Sequence, residues 1–300
     1  MKLDKLSWSD LVREAQEKQL PLAEFLLERS AAQAELEPAQ LLEEMAARLK
    51  VMEDAVAFGL TGVRSNSGLT GGSAKKMAAY ENAQKEQKSP GLLGPVAGLA
   101  VIYALAAAEA NGAMGRIVAA PTAGASGILP GILLALREHC QVEDAVLLEG
   151  LLVAGTIGEV IANRAMLSGA TGGCQAECGS GAAMAAGAAV HILGGSGAQI
   201  DTAIAIVFKN MLGLVCDPVA GLVEVPCIKR NAGSVVQCLL AAEMALAGIE
   251  SFIPADEAID AMGQVGRSLP HSLRETAEGG MALTPTALAW AKTYFEGMKK

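Results

Sequence analysis

Leu41, Leu42, Met45, Leu49 and Met52 recur at intervals of three and four residues. That spacing gathers apolar side chains on one face of a helix. Pro38 suits a first helical turn, so the pattern predicts a helix from Pro38 to about Leu60. Two helices precede it. Ser7-Trp8-Ser9-Asp10 resembles a capping box, with Asp in place of the usual Glu or Gln, and predicts a helix running to about Gln19. Pro21 restarts the chain, and Leu22 to Gln33 reads as the second helix. Residues 1–60 therefore form an amphipathic helical layer. The same stripes also allow a second reading, as a docking surface for another chain.

Beyond this layer the pattern stays helical. A polar helix is expected from about Ala74 to Gln87, then a turn at Ser89-Pro90-Gly91. Val96 to Ala110, Ile128 to Arg137 and Leu147 to Ala162 read as buried helices. Ala182 to Leu193, Thr202 to Leu214 and Asn231 to Ala247 continue the core, and Thr284 to Glu296 closes it. Pro254 and Pro270 mark shorter pieces. Sustained alternation, a βαβ rhythm and internal repeats are missing from the sequence, so the expected fold class is all-α.

Composition sharpens this. The chain is 52% hydrophobic but only 3% aromatic, so Ala and Gly supply much of the apolar content. Small residues favour closely packed helices. Nearly half of the charged side chains fall in residues 1–90, which makes the remainder a buried core. The net charge of -9, without a basic run, argues against nucleic acid as a partner. The stretches Ile117–Leu136 and Gly179–Ile200 are long and uncharged, but Pro, Ala and Gly dominate them. They are expected to be buried segments rather than membrane spans. The N-terminus lacks the apolar core of a signal peptide. With six cysteines in 300 residues, too few for a disulfide scaffold, a reducing cytoplasmic setting is expected.

Candidate chemistry lies in three places. Ser65, Asn66 and Ser67 sit among glycines in TGVRSNSGLTGGS, a loop able to bind a carboxylate or to serve as a solvated linker. Thr122, Ala123, Gly124 and Ala125 precede a hydrophobic helix, where backbone N–H groups favour an anion; a plain helix start is the alternative. Cys174, Cys178, Cys216 and Cys227 lie among glycines and prolines between Gly169 and Asn231. Cys174 and Cys178 are placed four apart, as on one helix face, while Cys216 and Cys227 share a loop around Pro218 and Gly221. The spacing matches neither paired zinc knuckles nor a ferredoxin run, and it leaves a metal at these four residues open. Cys140 and Cys238 read as small apolar residues.

The motifs GATGGCQAECGSGAAMAA, CDPVAGLVEVPCIKRNA, SNSGLTGG and APTAGASGILPG resemble those of the iron–sulfur-dependent L-serine dehydratases. The likeness runs from about Ser7 to Lys292 and is to the α chain of the two-chain form. It implies a [4Fe–4S] cluster held by Cys174, Cys216 and Cys227, with one iron open and Cys178 not a ligand. It also implies L-serine as substrate and pyruvate with ammonia as products. Ser65–Ser67 and Thr122–Ala125 become expected carboxylate-binding loops, and residues 61–300 a cluster-binding catalytic helical domain with Gly/Cys-rich loops around the cluster. The one-chain form ends in a cysteine able to reach the open iron; this sequence ends EGMKK, so tail self-inhibition is not expected.

A general base is not apparent. His139, His191 and His271 lie outside the glycine loops, and Lys229 beside Cys227 reads as a surface cation rather than a Schiff-base lysine of a pyridoxal phosphate enzyme. The resemblance implies a β chain that supplies the base. Two other functions fit the cysteines: a related cluster-dependent cysteine desulfidase, and a non-enzymatic iron or redox sensor.

Overall fold

Ser7 caps the first helix by accepting from the Asp10 N–H at 3.1 Å. Asp10 does not complete the box. The partner is Asp256, far along the chain, which takes the Ser7 hydroxyl at 2.6 Å and the Trp8 N–H at 3.0 Å. This computed structural model describes residues 5–88 and 91–298, so the turn expected at Ser89-Pro90 lies outside the described residues.

The helices are α1 (Trp8–Glu17), α2 (Leu22–Ala34), α3 (Pro38–Leu60), α4 (Ser73–Glu86), α5 (Gly94–Gly112), α6 (Ile128–Cys140) and α7 (Asp144–Arg164). They continue as α8 (Gly169–Gly172), α9 (Cys174–Ile192), α10 (Gly197–Met211), α11 (Cys227–Leu246), α12 (Ala255–Ser268) and α13 (Pro285–Gly297). Among the described residues β pairing is confined to two isolated bridges, Arg64 with Gly71 and Cys216 with Arg274. The all-α expectation holds, and α3 spans the residues that its apolar spacing predicts.

Three local expectations are corrected. The helix expected from Ala182 begins at Cys174, because the glycines that read as loop face packed neighbours instead. Tertiary packing there outweighs the weak helix propensity of glycine. Pro270 does lead into short pieces, the turns His271–Leu273 and Gly280–Leu283, but Pro254 opens a full helix. Pro254 is the N-cap of α12 and Pro270 lies just past its end, with Ile259 and Met262 buried between them. Cys227 opens α11 rather than sharing one loop with Cys216.

Helix α9 is the centre of the molecule. Every residue in it except His191 is buried, and α7, α10, α11 and α6 surround it. Ala and Gly let these helices come close. A Cβ at Gly187 would lie 2.2 Å from Ile157 Cδ1, so the Ile157 side chain of α7 would have to shift. Trp8, Phe25, Leu26, Met45, Leu49 and Met52 of α1–α3 belong to the same apolar cluster as the later helices. Ile117–Leu136 and Gly179–Ile200 are each broken by a loop. Among the described residues, helices α5 and α7 are the two long and apolar enough to cross a membrane, and neighbouring helices bury 61% of each apolar window.

Candidate active site

Gly173 turns the chain into α9 with φ +76°, in the region that favours glycine. A Cβ there would meet Leu269 Cδ1 at 2.6 Å and the Leu214 carbonyl at 2.8 Å. This turn sets Cys174 as the first residue of α9. Gln175, fully buried, ties the start to the segment before Cys216. Its N–H donates to Leu214 O at 2.9 Å, its side-chain amide donates to Gly172 O at 2.9 Å, and its Oε1 accepts from Gly213 N–H at 2.8 Å.

Cys216 is held by main-chain bonds. Its N–H donates to Leu273 O at 2.9 Å, and its carbonyl accepts from Glu275 N–H at 2.7 Å. Asp217 then pairs with Arg230 at 2.9 Å and accepts from Met281 N–H at 2.7 Å. Arg230 also donates to Val215 O at 2.8 Å. Cys227 opens α11, where Asn231 secures it: the Asn231 amide donates to Cys227 O at 2.9 Å and Gly124 O at 2.6 Å, and its oxygen accepts from Gly127 N–H at 2.9 Å. Asn231 thus fastens the 122–127 loop to the cysteine helix. Asn231→Ala would leave the buried Gly124 carbonyl and Gly127 N–H short of a partner, while the Cys227 carbonyl keeps its helical bond in α11. A loss of stability of about 1–3 kcal/mol per unmet group is expected, read as a fall in the denaturant midpoint.

All six cysteines are free thiols, and Cys174, Cys178, Cys216 and Cys227 are buried. Cys174, Glu177 and Cys178 share one face of α9, with ligand atoms mutually within 4.8 Å; among the described residues no other trio of Cys, His, Asp or Glu meets that limit. Cys174, Cys216 and Cys227 are therefore not that close to one another. A multi-iron cluster needs them apart, since each sulfur binds a different iron.

The electrostatics separate the thiols. The Cys178 thiol donates a hydrogen bond to Cys174, and this, helped by Arg230, lowers the Cys174 pKa against the cost of burial. Cys178 shifts up, as the proton donor and through burial. Burial, then the charges of Cys174 and Glu177, push Cys227 up to about 12 and raise Cys216 also. Glu177 is raised by burial first and by Glu275. Its Oε1 accepts the Thr122 hydroxyl at 2.6 Å.

These donors fit a thiophilic metal group. Buried thiols beside two carboxyl groups, with Arg230 as the neighbouring cation, ionise together only if positive charge arrives. The backbone leaves room beside them. A Cβ at Gly169 would sit 2.7 Å from Cys216 Sγ, and one at Gly124 would sit 2.6 Å from Glu177 Oε1.

The expected carboxylate-binding loops differ in placement. Thr122 reaches the site through Glu177; Gly124 and Ala125 are buried behind it and Ala123 is exposed. Ser67 instead donates to Glu224 at 2.8 Å, as does Thr70. Ser65 exchanges bonds with Thr70 and Ser67, while Asn66 is exposed. The serine loop is joined to the segment leading to Cys227 through Glu224. His139 is exposed, His191 pairs with Glu149 at 3.0 Å, and His271 with Glu278 at 3.3 Å. Lys229 is exposed. Sequence reasoning missed Gln175, Glu177, Asp217, Glu224, Arg230 and Asn231. Each lies inside a quoted motif, and the Cys174–Glu177–Cys178 spacing was the available signal for Glu177.

Comparison with known proteins gives a consistent result. A family profile described as "Serine dehydratase alpha chain" matches residues 17–282. The chain is 47% identical over 288 residues to the "Probable L-serine dehydratase, alpha chain" of Bacillus subtilis, covering 96% of this chain and 94% of that protein. It is 46% identical over 215 residues to the "L-serine dehydratase, alpha chain" of Peptoniphilus asaccharolyticus, 72% of each. The "L-serine dehydratase" of Streptomyces coelicolor is 37% identical over 281 residues, 91% of this chain but 60% of that protein. On a match that takes in every site residue named above, the chain belongs to the serine dehydratase alpha chain family.

Proposed function

We propose that this chain is the cluster-binding chain of an L-serine dehydratase, a carbon–nitrogen lyase that converts L-serine to pyruvate and ammonia. The observation that carries this reading is the convergence of Cys174, Cys216 and Cys227 with Glu177 and the Thr122 loop. The names of the relatives support the substrate. Cys174, Cys216 and Cys227 would hold a [4Fe–4S] cluster, with Cys178 supporting Cys174 as a hydrogen-bond donor. Such a cluster, when bound, supplies an open iron as Lewis acid for the leaving hydroxyl.

The chain's own groups divide the remaining work. Glu177 keeps its proton to higher pH than an exposed glutamate, and so can deliver it toward the departing oxygen. Thr122 fixes the carboxyl group by its hydrogen bond. Arg230 supports the Cys174 thiolate. The Thr122–Ala125 loop, whose Ala125 N–H is taken by the Thr122 hydroxyl oxygen, and the serine loop held by Glu224 are the proposed carboxylate-binding elements. The base for the α-proton is assigned to a second, β, chain, a reading supported by the "alpha chain" names of the relatives.

The test is anaerobic reconstitution of the co-expressed chains with ferrous iron and sulfide, followed by assay on L-serine. Pyruvate formation that needs iron and both chains is expected. Sulfide release from L-cysteine without pyruvate from serine would favour a desulfidase. Iron loading without turnover on either amino acid would favour a sensor.

A further inference from the structure

Helix α13 is poorly buried for its composition. Of its residues only Ala287 is buried. Leu288 is 50% exposed and Phe295 47%, and Met281 and Leu283 on the turn before it are 53% and 50% exposed. Trp290 and Tyr294 stack at 4.9 Å along the helix, with Phe295 edge-on to Tyr294. The whole chain has two tryptophans, three tyrosines and five phenylalanines, and α13 carries one of each. A single short helix is marginal in water without a tertiary face to bury. Its main packing partners are two short turns, Val219–Gly221 and Gly280–Leu283. Other strongly exposed apolar side chains, such as Leu92, Met114 and Phe252, are scattered along the chain. The stripes of α1–α3, by contrast, are buried within the chain itself.

We infer that the outer face of α13, together with Met281 and Leu283, is the docking surface for the second chain of the same enzyme. This rests on the two-chain reading above. The single-chain relative carries, beyond the part matched here, a substantial further length in the same polypeptide. A relative that this chain spans almost whole is named an alpha chain, so on the two-chain reading the further length arrives as a separate protein, and the surface that receives it is apolar and unpartnered. Phe295, exposed on the same outer face as Leu288, is an aromatic side chain of the kind that anchors such a patch, while Trp290 and Tyr294 are half-buried on the face of Ala287. The position of α13 also suits the chemistry. The helix rests on the turn between Cys216 and Cys227. Its foundation is tied to the site, since Met281 N–H donates to Asp217 and Leu273 and Glu275 bracket Cys216. A partner seated on α13 stands beside the Cys216 edge, where a group from outside the chain can enter.

The experiment measures association, not turnover, so it stands apart from the activity assay. The two full-length chains are mixed, and the complex is followed by analytical ultracentrifugation for wild type, Leu288→Asp/Phe295→Asp, Leu288→Ala and Phe252→Ser. The double variant should weaken the two-chain complex on the order of 30-fold or more. Leu288→Ala should weaken it less, and it serves as the reading if the double variant fails to fold by circular dichroism. Phe252→Ser should bind as wild type. Wild-type affinity in both α13 variants would overturn the inference. So would a loss confined to self-association of this chain, which would make a second copy the occupant.

Discussion

Replacing Cys216 by serine should strip the protein of bound iron and of pyruvate formation, and Cys174→Ser and Cys227→Ser should do the same. The three side chains come from three elements: the first turn of α9, the segment bonded to Leu273 and Glu275, and the first turn of α11. None can move to replace another, because Gln175, the 273–275 bonds and Asn231 each fix one of them. Cys140→Ala and Cys238→Ala should keep full iron; Cys140 is exposed at the end of α6 and Cys238 is buried within α11. Cys178→Ala is the informative variant. Its thiol is the largest cause of the low Cys174 pKa. Without it the Cys174 pKa rises. Iron binding requires the thiolate, so loading should move to higher pH. Iron should still bind at saturation, with affinity or activity down about 10–100-fold, as for other groups that support a ligand. Iron content, determined across pH in anaerobic samples, checks all of these. Full iron in Cys216→Ser would remove it from the ligand set. Complete loss of iron in Cys178→Ala would make Cys178 a ligand.

Glu177→Gln should lower kcat by about 10²–10⁴-fold, the usual contribution of a positioned proton donor or acceptor, while iron content stays at the wild-type level. The amide oxygen of Gln can still accept the Thr122 hydroxyl, so the fold and the 122–125 loop should be unchanged. The pH profile separates proton transfer from mere positioning. Burial and the neighbouring Glu275 raise the Glu177 pKa above its ordinary value. The protonated form therefore persists to higher pH, and the activity that depends on it is lost as pH rises through that raised pKa. In Glu177→Gln this limb should vanish from the kcat profile. An unchanged kcat, or an unchanged limb, would place the proton donor elsewhere. Thr122→Val, which keeps the carboxyl group but frees it, should give a smaller loss with the limb retained.

The helical layout was legible from periodicity wherever packing obeys a simple stripe. Pro38–Leu60 is the clear case, with Met45, Leu49 and Met52 buried as their spacing requires. The start of α9 was not legible, because GGCQAECGSG carries the glycine density of a loop. What makes it helical is the set of helices around it, which glycine and alanine allow to come close. Capping showed the same division. Ser7 is recognisable as a cap, but Asp256 as its partner is separated from it by most of the chain.

The sequence by itself determined that this is an all-α protein of small-residue helices. Helical spacing, proline positions and composition act locally and are written along the chain. Through its motifs it also singled out Cys174, Cys216 and Cys227 and the two polar loops. Only the tertiary structure decided how these meet. It put Thr122 on Glu177, turned Ser67 toward Glu224, and set Arg230 and Cys178 to favour the Cys174 thiolate. It also left α13 with an apolar face and little to cover it. The reason is physical: the strength of a buried charge or hydrogen bond depends on which groups surround it in space. Those groups come from segments far apart in the chain, so no local pattern encodes them.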